Sequence, residues 1–256
     1  IRMTEKVFAL DDGLYGHGRK GDGMGAYYSY GERPKSYVNT ALVIINIVVF
    51  IVLEIIGSTQ DVQFMIEHGA SFAPAILMGG REYLRLLYSV FLHFGPSHLI
   101  SNMIGLFFIG DNLERAMGHI RYLIFYLLCG IGASVFSFAG HALLDPYTVS
   151  AGASGAICGV VGGLLWVVIA NRGRLEEMTT GRVGFLIFYL IYSGLRSTGV
   201  DNIAHISGAV LGFVLARILY DPSAGLIRTR AAGEGRKNMA PTIGGVCLYI
   251  AGLCII

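Results

Sequence analysis

The chain has 256 residues, of which 54% are hydrophobic and only 14% charged, and its mean hydropathy is +0.62. Soluble domains usually carry about 25% charged residues. Because the apolar residues also fall in long blocks, the composition excludes an ordinary soluble domain and predicts a multi-pass integral membrane protein. A net charge of +2 is too small to indicate a nucleic-acid partner.

Seven apolar segments follow a polar start. We predict them at 37–56, 97–110, 122–144, 154–170, 183–195, 203–220 and 241–256. Several are shorter than the roughly 20 residues that a lone spanning helix needs, which is tolerable when neighbouring helices surround them. The polar start and the long first block predict no cleavable signal peptide.

The distribution of basic residues predicts the orientation. If residue 1 is cytoplasmic, 16 of the 19 lysines and arginines lie in cytoplasmic segments and 3 lie outside. The positive-inside rule then predicts a cytoplasmic N-terminus. The loop 57–96 would lie outside, and its length and apolar residues predict short helices in the membrane interface.

Polar residues inside apolar segments are costly and indicate function. Three clusters stand out, each near the outer end of a predicted helix: His98 with Asn102, Ser154 between Gly152 and Gly155, and His205. A serine, a nearby base and hydrogen-bond donors for an oxyanion are the parts that acyl transfer needs. Glycines beside Ser154 would allow a close approach to the start of its helix.

Each feature also has a structural interpretation. A lone membrane serine usually bonds to its own helix, and His205 could be a packing residue or part of a proton path. Gly208 and Gly212 form a pattern that is typical of helix packing, which we accept here. The four cysteines, Cys129, Cys158, Cys247 and Cys254, have no metal-type spacing and are interpreted as small buried hydrophobes. We expect no metal site.

Together the motifs resemble those of the rhomboid family of intramembrane serine proteases. The resemblance covers roughly residues 37–220. It rests on a GxSG motif, an HxxxN pair with a further histidine upstream, an AHxxGxxxG segment and an ExWR-like stretch. These are Gly152 to Gly155, His98 and Asn102 with His93, Ala204 to Gly212, and Glu82 to Arg85.

The resemblance implies roles for these residues. Ser154 would be the nucleophile and His205 the general base, with no third acid. His98, Asn102 and the Ser154 backbone N–H would form the oxyanion hole, and no metal or organic cofactor is implied. Glu82 and Arg85 would anchor the first loop. The substrates would be single-span membrane proteins, cut within or next to the transmembrane segment.

The resemblance also implies an architecture. We expect an all-α integral membrane fold with a six-helix core at 37–220 and interfacial helices in the first loop. Residues 1–36 would be a poorly ordered cytoplasmic segment, and residues 221–256 a linker with a seventh transmembrane helix. This six-plus-one arrangement is similar to that of family members in plasma or secretory-pathway membranes.

Three residues depart from the family pattern. Leu84 stands in place of a tryptophan, Cys158 in place of an aromatic residue beside the catalytic histidine, and Ser207 in place of a small apolar residue or glycine. Leu84 puts the anchoring of the loop in question. Cys158 can pack against His205 but offers no aromatic face, and the Ser207 hydroxyl could bond near the site.

Two other classes of function compete with a protease. A non-enzymatic relative that binds and escorts membrane clients would typically lack the nucleophile or the base. A proton- or ion-coupled transporter should show carboxylates within the spans and an internal repeat. Only Glu54 lies clearly inside a predicted span, near its outer end, and no repeat is evident.

Overall fold

The computed structural model describes residues 35–172, 174–175, 178–196 and 199–221. Within these residues the α-helices are, in chain order, α1 (Tyr37–Ile56), α2 (Val62–Glu67), α3 (Ala73–Leu77), α4 (Arg85–Tyr88), α5 (Gly95–Gly105), α6 (Asp111–Met117), α7 (His119–Leu144), α8 (Ser154–Ala170), α9 (Thr180–Arg196) and α10 (Asn202–Leu219). The predicted seventh transmembrane helix and residues 1–34 of the predicted N-terminal segment lie outside the described residues.

Short elements link these helices. They are 3₁₀ turns at Glu82–Leu84 and Ser89–Phe91, a π-helical turn at Leu106–Gly110, and strands β1 (Ser71–Phe72), β2 (Val149–Ser150), β3 (Arg174–Leu175) and β4 (Met178–Thr179). Strand β1 pairs antiparallel with β2, and β3 pairs with β4. The described chain is mostly helical, as the expected all-α fold requires. The two-residue ladders are too short to leave an alternating pattern in the sequence.

Helices α1 and α8 begin and end where the apolar segments predict, and α7, α9 and α10 begin or end within three residues of the prediction. The second segment differs, because α5 runs through the π-helical turn directly into α6. Within the described residues, α1, α7 and α10 are long and apolar enough to cross a membrane, and α8 is a shorter apolar helix. The described part of the chain is thus a helical membrane protein, while the six-plus-one count stays a prediction.

Helix α8 lies at the centre of the fold. It contacts α7, α9 and α10, and its side chains Ile157, Val160, Val161 and Leu164 are completely buried. Its neighbours shield it on most sides, so 17 residues suffice for a helix that would be short for a lipid-exposed span. The short length predicted for this segment therefore follows from its central position.

Glycines bring α8 and α10 into backbone contact. A Cβ atom added at Gly208 would lie 2.2 Å from the carbonyl oxygen of Gly155. One added at Gly212 would lie 1.9 Å from the carbonyl oxygen of Gly159. No side chain fits at these crossing points, so the small-residue pattern serves close helix packing, as predicted. We call these four residues the glycine seam.

A buried carboxylate fixes the start of α1 against α6 and α7. Glu114 is fully buried and accepts hydrogen bonds from the backbone N–H groups of Val38 at 3.0 Å and Asn39 at 2.6 Å. It also pairs with the His119 ring, and the Tyr122 hydroxyl donates to the Asn39 side chain at 2.7 Å. The first N–H groups of a helix have no partner within the helix, so Glu114 supplies what α1 lacks.

Replacing Glu114 with alanine is expected to destabilise the protein by about 2–4 kcal/mol, because two donors at the start of α1 lose their acceptor inside the protein. The unfolding midpoint in detergent measures this. Glu67→Ala is the control, since the one bond that Glu67 accepts from the described residues is an exposed side-chain bond from Gln63. Equal midpoints for the two variants would contradict the role given to Glu114.

Candidate active site

The three predicted clusters line one cavity. It has a volume of about 570 Å³ and lies between α5, α7, α8 and α10. Its lining includes the predicted site residues His98, Asn102, Gly152, Ser154, Gly155 and His205. Gly208 and Gly212 lie in the glycine seam behind it, and Glu82 and Arg85 do not line it. The structure therefore brings together the three clusters that the sequence places near the outer ends of their helices.

Ser154 is the first residue of α8 and follows a sharp turn of the backbone at Gly152. Gly152 has a φ of +142°, which side chains rarely tolerate, and its N–H donates to the Ser89 carbonyl at 2.8 Å. The N–H of Ala153 donates to Nε2 of the buried His93 at 3.3 Å. The N–H of Ser154 belongs to the first helical turn, where backbone donors have no partner within the helix. This end of α8 therefore offers both a hydroxyl and a backbone donor.

The hydrogen-bond pattern fixes which nitrogen of His98 can donate. The N–H of Phe94 donates to its Nδ1 at 3.3 Å, so a neutral ring carries its hydrogen on Nε2. That edge approaches the loop before Ser154, since a Cβ at Gly152 would lie 3.0 Å from His98 Nε2. The ring of His93 packs edge-on against His98 with centroids 5.2 Å apart. His98 thus presents an N–H donor beside Gly152, and the ring of His93 packs against its imidazole.

Asn102 lies one turn after His98 on α5, and its side chain is nearly buried. Its amide nitrogen donates to the backbone carbonyl of His98 at 2.8 Å. An amide group has two N–H bonds, so one remains for the cavity. The pair share a helical face as predicted, with the difference that half of the donor capacity of Asn102 is used within its own helix.

His205 lies in the first turn of α10 and is 8% exposed. The backbone contact between Gly155 and Gly208 brings the start of α8 beside this turn. Among the residues that the structure describes, none forms a hydrogen bond with the buried Nδ1 of His205. Cys158, one turn after Ser154, lines the same cavity. The arrangement brings a hydroxyl, an imidazole and several hydrogen-bond donors around one cavity.

Comparison with known proteins assigns the chain to a family. A family model described as the Rhomboid domain matches residues 80–222, somewhat more than half of the chain. The chain is 32% identical to the rhomboid protease AarA of Providencia stuartii over 198 residues, which cover 68% of this chain and 69% of that protein.

The chain belongs to the rhomboid family. It is also 35% identical to the rhomboid protease GluP of Bacillus subtilis (strain 168) over 205 residues, or 80% of this chain and 38% of GluP. It is 39% identical to RHOMBOID-like protein 4 of Arabidopsis thaliana over 160 residues, or 62% of this chain and 39% of that protein. This rhomboid therefore spans less than half the length of those two relatives.

Ser207, one of the three departures from the rhomboid pattern, forms hydrogen bonds within its own helix. The hydroxyl of Ser207 donates back to the carbonyls of Ile203 at 2.6 Å and Ala204 at 3.3 Å on its own helix. Ala204 lines the cavity, so the hydroxyl does bond near the site, but within its own helix. A serine inside a helix reaches the preceding turn more easily than a neighbouring element.

The other ionisable residues singled out in the sequence have structural partners. Glu82 pairs with Arg85, and the Arg85 guanidinium donates to the backbone carbonyls of Ile66 and Ala70. The predicted contact that holds the first loop is thus present. Glu54 accepts hydrogen bonds from the N–H and the hydroxyl of Thr59, so it closes the end of α1 rather than facing the cavity.

Sequence reasoning missed a polar group on the cavity wall. Asp201, the residue before α10, accepts hydrogen bonds from the hydroxyls of Ser137 and Ser150 and from the N–H of Ala204, and His141 lies 3.4 Å away. Burial alone would raise the pKa of the Asp201 carboxyl, but these hydrogen bonds and the imidazole hold that pKa below its usual value. An aspartate just before a helix signals an N-cap, but nothing in the sequence indicates its distant partners.

Proposed function

We propose that this rhomboid is an intramembrane serine protease. It would hydrolyse peptide bonds within or next to the transmembrane segments of single-span membrane proteins. The observation that carries this proposal is that Ser154, His205, His98 and Asn102 line one cavity. The names of the rhomboid proteases GluP and AarA support the same class of reaction.

The proposed reaction is acyl transfer to serine. The Ser154 hydroxyl oxygen attacks the carbonyl carbon of the scissile bond while His205 takes its proton. The negative charge that forms on the carbonyl oxygen is stabilised by Nε2–H of His98, the second N–H of Asn102 and the N–H of Ser154. His205 then protonates the leaving amine, and a water molecule, activated by the same imidazole, hydrolyses the acyl-enzyme.

The surroundings of His205 support a dyad over a triad. In a triad, a carboxylate accepts a hydrogen bond from Nδ1 of the histidine. Among the described residues none bonds with His205 Nδ1, and both oxygens of Asp201, on the same cavity wall, already accept hydrogen bonds from other groups. His205 would therefore act without a third acid.

The position of Ser154 in a cavity also supports a particular conformation of the substrate. Backbone carbonyls in a regular helix are occupied by hydrogen bonds to the residue four positions later. A transmembrane substrate must therefore unwind locally to present its scissile bond to Ser154. Glycine or proline near the cleavage point would ease this step, since both weaken a helix.

We further propose that the N-terminus is cytoplasmic and that the loop between α1 and α5 lies outside, at the plasma or a secretory-pathway membrane. Arg81 in this loop and Arg121 at the start of α7 are both exposed. A membrane-impermeant thiol reagent added to intact cells should label Arg81→Cys and should not label Arg121→Cys. The unsubstituted protein serves as background, and the reverse labelling pattern would contradict the orientation.

Two assays test the protease proposal directly. Purified wild-type protein in lipid vesicles should cleave a model single-span substrate, and a chelator should leave the rate unchanged because no step uses a metal ion. A fluorophosphonate, which reacts with activated serines, should label the protein at Ser154. An escort protein would instead bind the substrate without cleavage or labelling, and that result would overturn the proposal.

A further inference from the structure

We propose that Asp201 is a positioning residue that holds His205 and the segment leading to Ser154 in their reactive arrangement. This inference rests on the proposed protease function. It is carried by the hydrogen bonds of the Asp201 side chain, which join three separate parts of the chain beside the cavity.

The two carboxylate oxygens have distinct partners. One oxygen, Oδ1, accepts from the N–H of Ala204 at 2.9 Å and lies 3.4 Å from Nε2 of His141. The other, Oδ2, accepts from the hydroxyl of Ser150 at 2.6 Å and from the hydroxyl of Ser137. Ser137 and His141 belong to α7, Ser150 to β2, and Ala204 to α10.

This pattern separates a positioning role from the other roles that a cavity carboxylate could have. A carboxylate has about four acceptor sites. Oδ2 of Asp201 accepts two hydrogen bonds, while Oδ1 accepts one and has the His141 ring 3.4 Å away. Both oxygens are thus held by groups of the protein, and among the described residues none bonds with Nδ1 of His205. Asp201 therefore acts through the groups it holds and not on the substrate.

Two of the groups that bond to Asp201 lie close in sequence to the proposed reacting residues, His205 and Ser154. Asp201 caps α10 four residues before His205, and the His205 N–H donates to the Asp201 carbonyl at 3.1 Å. Ser150 precedes Ser154 by four residues and lies in β2, which pairs with β1 at Ser71. A single carboxylate thus sets the start of the helix that carries the imidazole and the approach to the helix that carries the hydroxyl.

Displacing a reacting group lowers kcat more than it weakens substrate binding. A displacement of about 1 Å in a catalytic arrangement can lower the rate about 100-fold. The substrate contacts many other parts of the cavity, so its apparent affinity should depend less on Asp201. The inference therefore predicts an effect on kcat that exceeds the effect on KM.

Asp201→Ala should lower kcat for a single-span substrate about 100-fold and change KM by less than about threefold, with a matching fall in the rate of fluorophosphonate labelling at Ser154. Asp201→Asn should recover at least about tenfold of that loss, because the amide oxygen still accepts from Ala204 and the serine hydroxyls can reverse their bonds. The double variant Ser137→Ala with Ser150→Ala keeps the charge and the cap, and should lose about tenfold in kcat.

Asp61→Ala is the matched control. Asp61 caps α2 in the same way, accepting from the N–H groups of Gln63 and Phe64, and it does not line the cavity. Its loss should remove a helix cap and leave kcat unchanged. The inference is overturned if Asp201→Ala retains kcat within threefold of wild type, if Asp201→Asn is no better than Asp201→Ala, or if Asp61→Ala loses as much kcat.

The result also separates this inference from the proposed function. If the wild-type protein is active and the Asp201 variants are equally active, only the positioning role is ruled out. A wild-type protein that neither cleaves nor labels removes the protease function, and the positioning role with it. If Asp201→Ala does not fold, Asp201→Asn and the double serine variant decide: wild-type kcat in both would overturn the inference.

Discussion

Ser154→Ala and His205→Ala should each abolish cleavage of a single-span substrate, with a loss of up to about 10⁶-fold in kcat. The double variant should be no worse than either single variant, because nucleophile and base act as one unit and their effects do not add. The fluorophosphonate should fail to label Ser154→Ala and should label His205→Ala slowly, since the hydroxyl is no longer activated. Cleavage rates and labelling in vesicles measure both effects.

Ser207→Ala is the matched control for the nucleophile. Ser207 is a serine two residues from His205 whose hydroxyl bonds to its own helix and does not line the cavity. Its variant should cleave at the wild-type rate. Cleavage that persists in purified Ser154→Ala protein would end the serine-protease proposal, whereas equal losses in Ser154→Ala and Ser207→Ala would indicate a general effect on folding.

Asn102→Ala and His98→Ala should each lower kcat about 10²- to 10³-fold, with KM nearly unchanged. Both side chains present an N–H to the cavity: His98 through Nε2, because Nδ1 accepts from Phe94, and Asn102 through its second amide hydrogen. Such donors matter mainly when negative charge develops on the carbonyl oxygen, so their removal costs about 2.7–4 kcal/mol in the transition state and little in substrate binding. Steady-state kinetics on the vesicle assay separate kcat from KM.

Asn112→Ala distinguishes an oxyanion donor from a helix-stabilising amide. Asn112 donates to the Phe108 carbonyl four residues earlier at 2.8 Å, the same bond that Asn102 makes to His98, and it lies away from the cavity. If Asn102 only stabilises its helix, the two variants should lose similar activity. A wild-type kcat in Asn102→Ala would remove Asn102 from the oxyanion hole.

The sequence predicted the parts of the fold that depend on local pattern. The bounds of α1 and α8 follow from long, mostly apolar segments, and the cavity residues follow from polar side chains near the outer ends of predicted helices. The two-residue pairing of β1 with β2 leaves no comparable pattern, since the two strands lie far apart along the chain. Local periodicity therefore located the helices but not the loop geometry between them.

Side-chain partners were predicted less completely than positions. The start of α10 reads as a capped helix because Asp201 precedes it, yet its bonds to Ser137 and Ser150 span 64 and 51 residues of sequence. The buried Glu114 was likewise unremarkable in the sequence, although it holds α1 from 75 residues away. Hydrogen bonds between residues so far apart in sequence arise only in the folded structure, and motif spacing does not predict them.

The glycine seam has a mechanical consequence. Where backbones touch without intervening side chains, helices have little freedom to slide or separate, because no flexible side chain can adjust to fill a gap. Helices α8 and α10 should therefore move as one rigid body that carries Ser154 and His205 together. Any opening that admits a bulky polypeptide must then come from the other walls, such as α9, which contributes Leu190 to the cavity and exposes Phe185 and Phe188 outward.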